Sequence, residues 1–208
     1  MTARLDIGLV IDPGHGGRDS GACGHGLREC DINLAVAQHF ADAVLPHVRY
    51  VLPTRTRDED VTLAQRVNLA NGHGPETRKL FVSVHCNATP VLSPWKGKAR
   101  GSQAMYYRND TEGAHLAGVL LDALRREVRV MPWGGSLPRQ PGLFQRSDLY
   151  VLRRTNCAAA LVEIGFIDHP ADAAQMRDEA WQQAVGIALA KGVVRHCYAE
   201  GVRLAEVA

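Results

Sequence analysis

The sequence predicts an α/β domain: a single domain in which a mixed, mostly parallel twisted sheet carries helices on both faces. Three observations point to it. Short runs rich in Ile, Leu and Val recur along the chain, stretches with apolar residues at helical spacing separate them, and Gly- or Pro-bearing turns stand at the changeovers.

Residues 5–11 read as a buried strand, stopped by the turn signal Asp12-Pro13-Gly14, and a Gly-rich loop follows over 14–26. From Asp31, read as an N-cap, Ile32, Ala35, Val36, Phe40 and Val44 recur at helical spacing and end before Pro46. Residues 48–52 are strand-like, and 62–70 place Leu63, Val67 and Ala70 on one helical face before Asn71-Gly72. Residues 80–84 and 102–107 give two more strands, and 112–128 carry Leu116, Val119, Leu120 and Leu124 as a helical stripe. Prolines and glycines crowd 131–148, which predicts a long exposed loop without regular structure, suited to walling a groove. Residues 159–163 form the last strand, and 170–198 are mostly helical, with Trp181, Val185, Leu189 and Val193 spaced by four.

The 208 residues fit one domain, and 46% hydrophobic with 22% charged residues is the balance of a globular protein. A net charge of +2 without any block of like charges argues against a nucleic-acid partner. The apolar run near the N-terminus, residues 7–11, is too short for a signal-peptide core or a membrane span. The expectation is synthesis in the cytoplasm without a signal peptide, and no membrane insertion. Cys23, Cys30, Cys86, Cys157 and Cys197 are odd in number and lack paired spacing, so reduced, mostly buried thiols are expected in place of a disulfide framework.

Polar residues able to do chemistry stand at element ends. His15 follows the first strand, His85 the third, Glu163 ends the last, and Glu29 opens the first helix. Such groups beside Gly-rich loops can converge on one cleft. Two neutral imidazoles and a carboxylate are the ligand set of a hydrolytic zinc with an open position for water, and Gly14, Gly16 and Gly17 let backbone pass close to it. Singly, each residue has a plainer reading, a structural histidine or a glutamate that suits the helix dipole; the combination carries the argument. Cys23, His25 and Cys30 offer a competing metal knuckle, although their spacing does not match common zinc-ligand pairs. Cys86 points to the opposite face from His85 in an extended strand. Arg55 and Arg66 read as structural ion-pair partners, and Asn87 as either a ligand-orienting or a turn-stabilising side chain.

Four blocks, VIDPGHGGRDSGACGHGLRE (10–29), TRTRDEDVTLAQRVNLAN (54–71), LFVSVHCNA (80–88) and YVLRRTNCAAALVEIGFIDHPAD (150–172), occur in an order that resembles the zinc-dependent N-acetylmuramoyl-L-alanine amidases of the amidase-3 type, over about residues 8–176. The resemblance implies that His15, Glu29 and His85 hold Zn2+ and that Glu163 is the catalytic carboxylate. It implies cleavage of the amide between N-acetylmuramic acid and L-alanine of the peptidoglycan stem peptide, with the peptidoglycan polymer as partner. Residues 1–208 are then one catalytic domain without an appended wall-binding domain, expected to be a monomer acting at the cell wall or periplasm as a phage-type endolysin or a bacterial autolysin. Residues 85–106 leave little room for the inserted helix that blocks the zinc in some exported relatives. The alternatives are a zinc peptidase on soluble peptides and an inactive wall-binding module.

Overall fold

Strand β1 (Leu5–Pro13) is buried almost throughout, as a central strand covered on both faces must be. The structure, a computed structural model, describes residues 4–72, 78–133 and 140–204. After β1 come a small hairpin, β2 (Cys23–Gly24) and β3 (Leu27–Arg28), then α1 (Glu29–Val44), β4 (Val48–Pro53), α2 (Leu63–Asn71) and β5 (Arg78–Asn87). The second half holds β6 (Gln103–Tyr107), α3 (Thr111–Glu127), β7 (Leu143–Arg146), α4 (Tyr150–Arg154), β8 (Ala158–Phe166), α5 (Pro170–Met176) and α6 (Glu179–Ala199). Six strands form one sheet in the order β4-β1-β5-β8-β6-β7. The first four are mutually parallel, β6 runs antiparallel to β8, and β7 is parallel to β6.

Alternation along the strands sorts the side chains into two layers. Ile7, Leu9 and Ile11 of β1, Leu80, Val82 and Val84 of β5, and Ala160, Val162 and Ile164 of β8 join Phe40, Leu116, Leu120, Leu189 and Val193 in the larger core, under α1, α3 and α6. Each fully buried Leu, Ile or Phe there contributes roughly 1.5–3 kcal/mol, so this layer holds the sheet together. Among the described residues the helices that cover the opposite face are α2 and α4, whose Val67, Ala70, Val151 and Leu152 meet Val10, Phe81 and Leu161. Positions His85 and Glu163 continue the alternation of Phe81 and Leu161 and lie on this thinner side, beyond the cover of the short helices.

Several boundaries differ from the sequence expectation. Helix α1 starts at Glu29, and Asp31 lies in its first turn; Arg28 is the N-cap and makes no side-chain cap bond. No capping side chain is required, because the first amides donate to loop carbonyls, Glu29 N to Ala22 O and Cys30 N to Ser20 O. The Gly-rich loop contains a hairpin whose two central residues, His25 and Gly26, both have positive φ, 52° and 77°. That is the turn the strand twist favours, carried here by His-Gly in place of the usual Asn-Gly. In 131–148, residues 134–139 lie outside the described residues, but Leu143–Arg146 pairs with β6 as an edge strand, so the expectation of a structureless loop was wrong there. Thr62 caps α2 through a reciprocal capping box with Gln65, and Leu63, expected on the buried face, is exposed. Residues 88–102 run as turns between β5 and β6.

Candidate metal centre and active site

The turn that leaves β1 puts His15 at φ 60°, a left-handed conformation that costs a non-glycine residue roughly 1 kcal/mol or more. Surrounding bonds hold it there. The buried Arg55 guanidinium donates to Pro13 O and Gly14 O at 3.0 and 2.9 Å and to Cys30 O at 2.8 Å. Arg66 pairs with buried Asp12 at 2.6 Å and donates to Pro13 O and His15 O at 2.6 and 2.7 Å. Asp12 in turn accepts from Thr54 and Ser83. Arg66 is therefore the structural ion-pair partner expected from the sequence, whereas Arg55, expected to be the same, braces backbone carbonyls instead.

The β2–β3 hairpin delivers Glu29 into the same space. Its carboxylate lies 2.9 Å from His85 Nδ1 and 3.2 Å from His15 Nε2, and it accepts backbone N–H bonds from Ala22 and Cys86. Buried Asn33 donates to it and to Gly14 O. The two imidazole rings meet edge to face at 5.0 Å. One donor atom from each of His15, Glu29 and His85 falls within 4.8 Å of the others. His15 and His85 line a cleft of about 510 Å³, together with Asp60, Arg66, Asp148, Leu149 and Tyr150. A larger cleft of about 770 Å³ opens elsewhere, beside Arg78 and Cys157, and holds none of the three.

Contrary to the expectation of strand-end positions, His85 and Glu163 lie inside β5 and β8, which pair on as far as Asn87 and Phe166. They are register partners across that parallel pair. Glu163 Oε2 is buried with no hydrogen-bond partner. Burial pushes this carboxyl up to about 7; His85 and other cationic groups pull it back, and the Glu29 charge adds to the rise. For His15, burial acts to lower the pKa, but the Glu29 and Asp19 carboxylates outweigh it and raise it to about 9. Burial acts to raise Glu29, yet the two imidazoles hold it far below the usual carboxylate range.

This donor set fits a divalent metal. His15 contacts Glu29 through Nε2 and Asp19 through Nδ1, the latter at 2.8 Å, so without a metal both nitrogens must be donors to acceptor-only carboxylates. A cation between the rings and Glu29 would take the place of the Nε2 proton, while the Nδ1–H stays on Asp19, which orients the ring. The backbone is kept clear for it: a Cβ at Gly14 would lie 2.2 Å from the His85 ring, and one at Gly21 would lie 2.6 Å from Glu29 Oε2.

The profile of the amidase-3 family, described as N-acetylmuramoyl-L-alanine amidase, matches residues 9–195. The chain belongs to this family. Similar proteins include the germination-specific N-acetylmuramoyl-L-alanine amidase of Bacillus subtilis, 30% identical over 93% of this chain and 81% of its own length. The endolysin of Bacillus phage SPP1 is 31% identical over 88% of this chain and 63% of its own length. The crystal structure of an N-acetylmuramoyl-L-alanine amidase from Clostridium difficile 630 superposes with a TM-score of 0.81, at 27% identity, covering 95% of this chain and all of that one. Peptidoglycan amidase activity is the function that amidase-3 membership carries.

The knuckle alternative finds no support in the geometry, since Cys23 contacts Ser20, His25 contacts Asp168 O, and Cys30 contacts Arg28 and Asp31. The cysteines are all free thiols, three of them buried. Asn87 donates to Gln103 Oε1 at 2.7 Å, a bond between neighbouring parts of the sheet end. Among the described residues no helix is long and apolar enough to cross a membrane. The sequence reading missed Asp19 and Arg146. Asp19 stands four residues from His15 inside the quoted motif, where the Nδ1 bond could have been anticipated. Arg146 acts electrostatically on Glu163 from the edge strand, and nothing local in the sequence signals that.

Proposed function

We propose that this chain is a zinc-dependent N-acetylmuramoyl-L-alanine amidase in which His15, Glu29 and His85 hold one zinc and Glu163 carries protons. The observation that supports it most is the unpartnered, buried Glu163 carboxyl in register with His85, next to the three convergent donors. When bound, zinc supplies a Lewis acid that polarises the amide carbonyl and acidifies water. Glu163, a carboxyl that burial pushes up from its usual range, is placed to take a proton from the attacking water and return one to the leaving L-alanine amine. Asp19 and Asn33 orient His15 and Glu29, and the cleft walled by Leu149 and Tyr150 receives the stem peptide. The protein acts on the peptidoglycan polymer at the cell wall as a monomer, in wall lysis.

Purified peptidoglycan tests this. The zinc-loaded protein is expected to release new L-alanine amino termini and leave glycan strands intact. Cleavage of soluble peptides without such release would favour a peptidase, and identical behaviour of Glu163→Gln would sink the catalytic assignment.

A further inference from the structure

The start of α3 and the end of α6 bring together a second group of ligating side chains. His115 Nδ1 lies 2.9 Å from Glu200 Oε1 and 3.1 Å from His196 Nδ1, with the two rings 4.9 Å apart. His196 lies in the last turn of α6 and Glu200 is the residue that caps it, its N–H bonded to His196 O, and one donor atom from each of the three residues falls within 4.8 Å of the others. The group lies beside Arg78 at the start of β5, and His85 is seven residues further along that strand, so roughly 23 Å separates it from the site above.

No neutral proton arrangement satisfies these atoms. If His115 Nδ1 carries hydrogen for Glu200, then His196 Nδ1 is the acceptor and its proton sits on Nε2. That nitrogen is buried without a hydrogen-bond partner, on a side chain only 1% exposed, and its nearest carboxylate oxygen, Glu112 Oε1, is 3.7 Å away. If His196 Nδ1 carries the hydrogen instead, the lone pair of His115 Nδ1 faces the Glu200 carboxylate. A single divalent cation among the three donors takes up both Nδ1 lone pairs and the Glu200 oxygen at once, and it leaves the His196 proton on Nε2, the nitrogen on the side of Glu112.

We infer that His115, His196 and Glu200 form a second metal site, for zinc or a similar borderline divalent ion, which ties the end of α6 to the first turns of α3. Two imidazole nitrogens and one carboxylate oxygen suit such ions and not calcium or magnesium. The other oxygen of Glu200 lies 3.6 Å from Arg78, which also pairs with Glu112, so the carboxylates remain oriented around the site.

The test uses tag-free, full-length protein and zinc itself. In a His15→Ala/His85→Ala background, elemental analysis after gel filtration is expected to find one zinc per chain, and added zinc is expected to raise Tm. Adding His115→Ala should abolish both effects. Because His196 is buried and its removal would leave a hole in the packing, Glu200→Gln serves as the second variant, with zinc affinity expected to fall tenfold or more. A folded His15→Ala/His85→Ala protein that takes up no zinc, or a His115→Ala derivative that still holds it, overturns the proposal. Wild-type protein holding one zinc that His115→Ala removes and His15→Ala does not would uphold this site and overturn the ligand set of the active centre.

Discussion

His85 on β5 and Glu163 on β8 are register partners in a parallel pair, which puts their Cα atoms about 5 Å apart and their side chains on the same, thinly covered face of the sheet. A metal-ligating imidazole and a proton-carrying carboxyl thereby share one rigid support. The Glu163 substitution is accordingly expected to separate chemistry from metal binding: Glu163→Gln should keep its zinc and lose about 10²–10⁴ in kcat. Zinc content and turnover on purified peptidoglycan, measured on the same preparation, check this, and loss of the metal together with activity would count against a proton-carrying role.

The metal-free protein should show what burying Glu163 costs. Its folded pKa of about 7 lies above the unfolded value of 4.5, so between those values the native state binds more protons than the unfolded chain. Stability from this group is retained below pH 4.5 and lost as pH rises to 7. Glu163→Gln escapes that loss, and in the presence of chelator it should exceed wild type by on the order of 2–3 kcal/mol at pH 8 and match it near pH 4.5. Urea melts at the two pH values measure the difference; a constant offset would contradict the assignment.

Gly14 carries no side chain because the His85 ring occupies that space. A Cβ there would lie 2.2 Å from the ring, so Gly14→Ala should displace His85. Zinc affinity is expected to drop tenfold or more, and chelator competition reads it directly.

Asp19→Asn should act through His15 alone, by weakening the bond at 2.8 Å that orients its ring. The expected result is a 10–100-fold loss of zinc affinity with little change in Tm. In the metal-free protein the His15 pKa should fall from about 9, visible in ring-proton NMR titration.

The Arg66–Asp12 pair is buried on both sides, at 4% and 1% side-chain exposure. Arg66→Leu leaves the Asp12 carboxylate uncompensated in the interior and should cost about 3–5 kcal/mol, measured by denaturant unfolding. Asp12→Asn combined with Arg66→Leu should recover part of that loss, whereas additive losses would contradict a direct pairing.

Strand and helix periods, and His15, Glu29, His85 and Glu163 as candidate site residues, were legible in the sequence alone, because they rest on local propensity and on contiguous motifs, whereas β1 pairs on through Asp12 and Pro13, past the turn signal that was expected to stop it. Tertiary structure decided what distant segments do to one another. It placed Glu163 opposite His85, seated Glu29 between two imidazoles through a His25-Gly26 hairpin, and turned part of a Pro- and Gly-rich stretch into an edge strand. It also gathered His115 with His196 and Glu200, although His115 and His196 are 81 residues apart in the chain. Register, burial and charge coupling depend on which segments pack together, and no local pattern of residues encodes that.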